Sequence, residues 1–244
     1  MHRSHILVVG GAGYIGSHMV WLLGQRGVQV TVLDNLSTGH RDAVLCGRLV
    51  EGDMADADLL GSLFGQHRFD AVLHFASCIQ VGESVVDPAK YYLNNVSDTL
   101  FLLGAMRKHG GQHFVFSSTA AVFGEPLYSP IDEQHPRAPI NPYGRTKWMI
   151  EQALDDYGHA YGLRSVSMRY FNAAGAHPDG LLGERHEPET HLIPLVLQAA
   201  AGRRPHITVF GFDYDTPDGT CIRDYIHVMD LAEAHWQALR YLTD

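Results

Sequence analysis

Short, mostly apolar stretches alternate with amphipathic segments along most of the chain. The apolar stretches begin near residues 6, 28, 49, 71, 113 and 165, and they predict strands that a sheet buries on both faces. Helical patterns over residues 15–25, 55–66 and 88–108, and again from residue 142, lie between them. Strands that alternate with helices of this length favour an α/β fold with a doubly wound parallel sheet.

The pattern changes after Tyr170, where loop residues become frequent. The predicted elements beyond this point are a helix near residues 192–201, short strands at 207–210 and 225–227, and a helix at 232–242. We therefore divide the chain into a sheet domain, residues 1–175, and a second unit, residues 176–244. Arg203, Arg204 and Arg223 are concentrated in the second unit, where they could bind a diphosphate.

Composition narrows the classes of partner. The formal charge of −9 and the absence of a basic run argue against nucleic acid and anionic membranes. No apolar stretch approaches the roughly 20 residues that span a bilayer, and residues 1–4 lead directly into a strand, so a cytoplasmic protein is predicted. The three widely spaced cysteines support neither a disulfide framework nor a metal site.

The sixteen histidines raise the question of a metal site. Two glycines separate His109 from His113, a proline lies between His186 and His191, and the motif HExxH is absent. We therefore predict no metal site and interpret the histidines as ordinary core or surface residues.

A glycine-rich turn follows the first predicted strand. Residues 10–16 read GGAGYIG, which contains GxGxxG and leads into a helix. The glycines would let the backbone approach a pyrophosphate, which the helix N-terminus also favours. Asp34 ends the second strand 18 residues after Gly16, near the spacing at which a carboxylate binds the adenosine ribose. It would repel a 2′-phosphate, so the turn predicts a Rossmann-type domain that binds NAD rather than NADP, with a plain tight turn as the alternative.

Polar residues follow other predicted strands, at the edge where open α/β sheets bind ligands. Asp53 follows the third strand and could contact the adenine, whereas Ser118 and Thr119 follow the fifth. Asn94 and Asn95 lie inside the helix predicted over residues 88–108, at a cost in helix propensity. They either cap a break in that helix or form hydrogen bonds in the core.

A tyrosine and a lysine are spaced four residues apart at the start of a predicted helix. Asn141 is the expected N-cap residue, and Tyr143 and Lys147 would share one helix face. The ammonium group would then favour the phenolate and lower the pKa of Tyr143, which makes a base available near neutral pH. Thr119 or Ser118 could hydrogen-bond the same substrate hydroxyl. Considered alone, this spacing also fits a surface pair.

Several longer motifs are more specific than the glycine turn. They are GYIGSH at residues 13–18, DNL at 34–36, VGESV at 81–85, YYLNN at 91–95, RYFN at 169–172 and RDYIHV at 223–228. On these motifs the chain resembles the extended short-chain dehydrogenase/reductase family from residue 6 to about residue 234. Among its members it is most similar to the nucleotide-sugar epimerases.

The resemblance implies a redox-neutral inversion at C4 of the hexose in UDP-glucose and UDP-galactose, with tightly held NAD. Tyr143 would remove the proton of the 4-hydroxyl, Thr119 would hydrogen-bond the 4-oxygen, and Lys147 would bind the nicotinamide ribose. The 4-keto sugar that results would rotate and be reduced on its other face. Asn172 and Arg223 would bind the UDP-sugar.

The same resemblance implies a set of cofactor contacts. They are Gly10, Gly13, Tyr14, Ile15, Gly16, Asp34, Asn35, Asp53, Met54, Phe75, Ala76, Asn94, Tyr143, Lys147 and Tyr170. Dehydratases of the family carry Asp-Glu after the threonine, whereas this chain has Ala120 and Ala121, which favours epimerisation over elimination.

Members of the family continue beyond the position of Asp244. The resemblance therefore implies that residues 176–244 form part of a UDP-sugar-binding subdomain, and that the helix at 232–242 exposes its apolar face. It also implies a homodimer formed through helices that include residues 93–106 and 147–157. Two alternatives stay open, which are another nucleotide-sugar epimerase, such as one acting on UDP-glucuronate, and a truncated chain that binds NAD without turnover.

Overall fold

The computed structural model describes residues 4–244 and contains one six-stranded sheet with helices on both faces. The strands of this sheet are β1 (His5–Val9), β2 (Gln29–Asp34), β3 (Arg48–Glu51), β4 (Ala71–His74), β5 (His113–Ser117) and β6 (Arg164–Met168). They are all parallel, in the order β3-β2-β1-β4-β5-β6. The predicted doubly wound α/β fold is confirmed.

Helices connect the strands and flank a second, two-stranded sheet. The helices are α1 (Tyr14–Gln25), α2 (Ala57–Gln66), α3 (Val81–Val86), α4 (Pro88–Tyr91), α5 (Thr99–Lys108), α6 (Pro142–Tyr161), α7 (Leu192–Ala200) and α8 (Val228–Thr243). The small sheet pairs β7 (Asn172–Ala174) with β8 (Tyr225–His227) in parallel. In residues 4–244, no helix is both long and apolar enough to cross a membrane.

Successive side chains of β1 enter opposite layers of the core. Leu7 packs with residues of α2, α5 and α6, whereas Val8 packs with residues of α1 and α8. This is the period-two alternation of a strand, and both layers are buried because helices cover both faces. The carboxyl ends of β1, β2, β4 and β5 therefore meet at one edge of a rigid sheet.

Three expectations need correction. No strand forms at residues 207–210, because these residues find no partner in either sheet and Phe210 is 98% exposed. The apolar face of α8 is covered, since Ala232, Leu239 and Leu242 pack in the core layer beside α1. The helix predicted over residues 88–108 is α-helical only at its ends, and Tyr92–Asp98 between α4 and α5 is a π-helix.

Candidate functional site

Two positions of the glycine turn, Gly10 and Gly16, pack so closely that a side chain at either would collide with the backbone. Gly10 has φ +80°, and a Cβ there would lie 2.4 Å from the backbone nitrogen of Ala76. A Cβ on Gly16 would lie 2.1 Å from the carbonyl oxygen of Gly10. Gly13 is the N-cap residue of α1 and supplies no side-chain cap. The first N–H groups of this helix are thus left without a capping side chain at a turn that an anion can approach.

Asp34 is buried at the end of β2 and supports the glycine turn. Its carboxylate accepts hydrogen bonds from the backbone N–H of Ala12 at 2.8 Å and of Leu36 at 2.9 Å. Beside it, the Asn35 amide donates to the Asp53 carboxylate at 2.8 Å. The predicted adenosine-binding acid therefore also sets the position of the loop that would hold the phosphates.

A cavity of about 370 Å³ opens at this edge of the sheet. The predicted cofactor-binding residues that line it are Gly10, Gly13, Asp34, Asn35, Asp53, Met54, Phe75, Ala76 and Asn94. A second cavity of about 180 Å³ shares Gly10, Gly13 and Phe75 with the first. The predicted residues that line the second cavity are Tyr14, Ile15, Gly16, Tyr143, Lys147, Tyr170 and Asn172.

The helix that carries Tyr143 and Lys147 begins as the sequence predicts. Asn141 is the N-cap residue of α6, and its side chain accepts a hydrogen bond from the Gly144 N–H at 2.8 Å. The Lys147 ammonium nitrogen donates to Ser77 Oγ at 2.7 Å and to the Ser117 carbonyl at 2.8 Å. These bonds join α6 to the ends of β4 and β5.

The pKa values of this pair differ from the expectation. Burial raises the pKa of Tyr143, and the hydrogen bond with Thr119 only partly offsets that rise. Burial also lowers the pKa of Lys147, to about 7, against the opposing influence of Cys78 and Glu151. Lys147 Nζ lies 6.0 Å from the centre of the Tyr143 ring. The net shift of Tyr143 is thus opposite to the predicted one, because both groups are desolvated in the same pocket.

Thr119 and Tyr170 lie beside Tyr143, but only Tyr170 lines the second cavity and Thr119 lines neither cavity. Thr119 is buried at the end of β5, where its hydroxyl caps the short turn that contains Ala120 and Ala121. The hydroxyl of Tyr170 is hydrogen-bonded to Ser117 Oγ. Burial raises the pKa of Tyr170, so its hydroxyl stays protonated near neutral pH.

Besides Thr119, the predicted substrate-binding residues are Asn172 and Arg223, and these two have different positions. Asn172 lines the second cavity, and its side chain donates to the carbonyl of Asp224 at 2.8 Å. Arg223, the neighbour of Asp224, lines neither cavity and donates to the carbonyl of Ile222 at 2.8 Å. The structure therefore brings Asn172 to the site and leaves the Arg223 side chain outside it.

The two asparagines of the π-helix form hydrogen bonds in the core, which was one of the two alternatives. Both accept from the backbone N–H of Cys78, and Asn95 also donates to the Cys78 carbonyl at 3.0 Å and to Thr146 Oγ1 at 3.1 Å. Thr146 in turn donates to the Tyr143 carbonyl at 2.7 Å. Asn95 therefore links the loop after β4 to the first turn of α6, the helix that carries Tyr143 and Lys147.

Sequence reasoning missed two contributors to the site. Ser77 follows the small residues after β4, and the strand-end rule applied to Asp53 and Thr119 could have found it. The segment of residues 184–191 forms the opposite wall, with His186 and His191 lining both cavities. The sequence analysis considered His186 and His191 only as metal ligands and did not predict them as site residues, and the segment is neither helix nor strand.

The residues present fit a dinucleotide. A Cβ at Gly10 or Gly16 would collide with the backbone, so the turn stays tightly packed beside the cavities, and α1 offers its uncapped N-terminus to phosphates. Asp34 lies 18 residues after Gly16, near the spacing in sequence at which a carboxylate binds the adenosine ribose.

Comparison with known proteins agrees with this geometry. The NAD dependent epimerase/dehydratase family matches residues 6–244. UDP-glucose 4-epimerase of Rhizobium meliloti is 58% identical over 244 residues, which are 100% of this chain and 74% of that protein. The enzyme of the same name from Halalkalibacterium halodurans is 54% identical over 97% of this chain and 71% of its own length.

Solved structures give the same result. The crystal structure of UDP-glucose 4-epimerase from Brucella ovis in complex with NAD superposes with a TM-score of 0.95 and is 55% identical over 98% of this chain and 74% of that chain. The Bifidobacterium longum UDP-glucose 4-epimerase in complex with NAD+ and UDP gives a TM-score of 0.94 and is 40% identical over 97% of this chain and 74% of its own.

Proposed function

The chain belongs to the NAD dependent epimerase/dehydratase family, and we propose that it is an NAD-dependent enzyme that interconverts UDP-galactose and UDP-glucose by inversion at C4. The observation that carries this proposal is that Tyr143 and Lys147 line the same cavity as the glycine turn, with Thr119 beside Tyr143. Relatives named UDP-glucose 4-epimerase that span the whole chain favour this reaction over the UDP-glucuronate alternative.

NAD would be held by the glycine turn, Asp34 and Lys147, and when bound it would reversibly accept hydride from C4 of the sugar. The residues of the chain handle the proton and the geometry. Tyr143 takes the proton of the substrate 4-hydroxyl and returns it after the keto sugar has turned over, so the reaction is redox-neutral. Because burial raises the pKa of Tyr143 and lowers that of Lys147 to about 7, the phenolate needed for the first transfer would depend on Lys147 keeping its proton when the site is filled.

Thr119 would orient the 4-oxygen toward Tyr143, with which it already shares a hydrogen bond. The turn that follows Thr119 carries Ala120 and Ala121, and neither can act as an acid or a base. Elimination of water needs such groups next to the reacting carbons, whereas epimerisation needs only one group that gives and takes the same proton. The residues that follow Thr119 therefore support epimerisation rather than elimination.

We also propose that the two units of the chain have different functions. Residues 1–175 would bind NAD and carry the catalytic side chains, whereas residues 176–244 would contribute to the UDP-sugar pocket. Support comes from His186 and His191 of the second unit, which line both cavities, whereas Asn172 lines the second cavity from the first unit. Arg223 would take part only if the segment around β8 moves its guanidinium toward the cavity.

A homodimer is also proposed, through the helices that include residues 93–106 and 147–157. Support comes from large apolar side chains on that surface, since Leu93, Phe101 and Met149 are exposed. The molar mass of the purified chain in light scattering checks this, and a monomeric mass at micromolar concentration would contradict it.

The reaction is tested by incubating the purified chain and NAD with UDP-galactose and following UDP-glucose by nuclear magnetic resonance. UDP-glucuronate serves as the matched second substrate. Conversion of UDP-galactose without conversion of UDP-glucuronate is the expected result. Conversion of UDP-glucuronate alone would replace the proposed substrate, and bound NAD with no conversion of either would reject the epimerase function for this chain.

A further inference from the structure

Four potential metal ligands meet in the 184–191 segment, on the wall of the cleft opposite Tyr143 and Lys147, and the proposed proton transfer does not use them. They are Glu184, His186, Glu189 and His191, and their ligand atoms all lie within 4.8 Å of one another. Glu184 Oε1 is 3.1 Å from His186 Nδ1 and 2.5 Å from His191 Nδ1. Glu189 Oε1 is 3.9 Å and 3.6 Å from the same two nitrogens.

Burial and charge make this cluster unusual for a surface segment. The Glu184 and Glu189 side chains are only 8% and 7% exposed. In residues 4–244, neither forms an ion pair with lysine or arginine, and the guanidinium of neighbouring Arg185 pairs instead with Asp42 at 2.6 Å. With neutral imidazoles the cluster carries a formal charge of about −2, whose burial is unfavourable and which, without an ion, is offset by protonation of a histidine such as His191 beside Glu184. A divalent cation would neutralise it.

The donor set indicates which cation fits. Two imidazole nitrogens and two carboxylate oxygens suit zinc-like transition metals, whereas magnesium and calcium prefer oxygen alone. Bonds of about 2.0–2.2 Å in a tetrahedral site place ligand atoms roughly 3.4 Å apart. The His–Glu distances of 2.5–3.9 Å bracket that value, so small movements of the side chains would complete the site.

Outer contacts hold the ligands in place. Glu189 Oε1 accepts from the backbone N–H of Thr190 at 2.8 Å and of His191 at 2.9 Å. The carbonyl of Arg185 lies 2.9 Å from His40 Nε2, which anchors the segment to the loop after β2. Such partners orient ligands and raise the affinity of a site.

We propose that Glu184, His186, Glu189 and His191 bind one zinc-like divalent metal ion, which clamps the 184–191 segment against the dinucleotide cleft. The role is structural, because Tyr143 and Lys147 supply the proton chemistry without it. The proposal concerns metal binding and does not depend on the sugar substrate.

Titration of the tag-free, chelator-treated chain with zinc chloride in a calorimeter tests the site. The wild type is expected to bind one ion tightly, and Glu184→Gln and His191→Ala are each expected to raise the dissociation constant by at least about 100-fold, since loss of outer partners alone costs about 10- to 100-fold. Glu187→Gln, which changes an exposed carboxylate of the same segment, and His206→Ala, at an exposed histidine elsewhere, should bind zinc like the wild type.

Two further measurements guard against variants that fold poorly. Zinc should raise the melting temperature of the wild type and of Glu187→Gln but not that of Glu184→Gln, whose side chain has the same shape as the original. Cobalt chloride should give the wild type the intense visible absorption of a four-coordinate site. Equal zinc affinity in the wild type and in both ligand variants, or a cobalt spectrum unchanged by them, would overturn the proposal.

Discussion

The two walls of the dinucleotide cleft are built in different ways. The first wall consists of strand ends and the N-termini of α1 and α6, and its polar groups are fixed by short bonds to the backbone, as Asp34 and Lys147 illustrate. The second wall is the 184–191 segment, which has no regular structure and is fixed by side-chain pairs such as Arg185 with Asp42. Our proposal therefore places proton transfer on the wall whose side-chain positions are set by the sheet.

Physical chemistry explains this division. A buried backbone group has one position relative to its strand, so a side chain bonded to it is held within narrow limits. Exposed charge pairs tolerate several geometries and are screened by salt. The first wall can therefore position reacting atoms, whereas the second can adjust around a ligand.

The largest expected effect is on the first wall. We expect Tyr143→Phe to reduce conversion of UDP-galactose by about 10²- to 10⁴-fold, the usual contribution of a general acid-base group. NAD content should stay unchanged, because the ring and its packing remain. Tyr161→Phe is the control, since Tyr161 lies on the same helix and is exposed. If Tyr143→Phe keeps wild-type turnover, Tyr143 is not the base, and the proposed difference in function between the two walls is wrong.

The second expected effect, on NAD binding and stability, is at the glycine turn. We expect Gly16→Ala to lose most bound NAD and to lower the melting temperature, because its Cβ would lie 2.1 Å from the Gly10 carbonyl oxygen. Gly61→Ala is the matched control in α2, where a Cβ meets no other atom within 4 Å. The control should gain about 0.5–1 kcal/mol of stability from the better helix former. Full retention of NAD by Gly16→Ala would show that the turn can open, contrary to the rigid wall described above.

The smallest expected effect compares one anchoring residue from each wall. We expect Asn95→Ala to lower the free energy of unfolding by about 1–3 kcal/mol, because it leaves the half-buried Cys78 backbone and the buried Thr146 hydroxyl with fewer partners. Arg185→Ala removes an exposed ion pair and should change that free energy within experimental error. Urea unfolding of both variants measures the difference, and a larger loss in Arg185→Ala would reverse our ranking of the walls.

Much of the first wall could be predicted because its signals are local. The turn around Gly10, the acid at Asp34 and the N-cap at Asn141 each depend on a few neighbouring residues, and the structure has them in the predicted elements. Errors arose where the outcome depends on distant partners. Residues 207–210 carry a strand pattern but find no neighbouring strand, and α8 is covered by the main sheet.

The sequence by itself determined the parallel sheet, the glycine turn and the helix that carries Tyr143 and Lys147, because periodicity and short motifs encode local backbone geometry. Only the tertiary structure decided how Asn95 reaches Thr146, how burial sets the pKa of Tyr143 and Lys147, and how His186 and His191 meet two carboxylates. These outcomes depend on the distance between residues far apart in sequence and on exclusion of water, which no local pattern specifies.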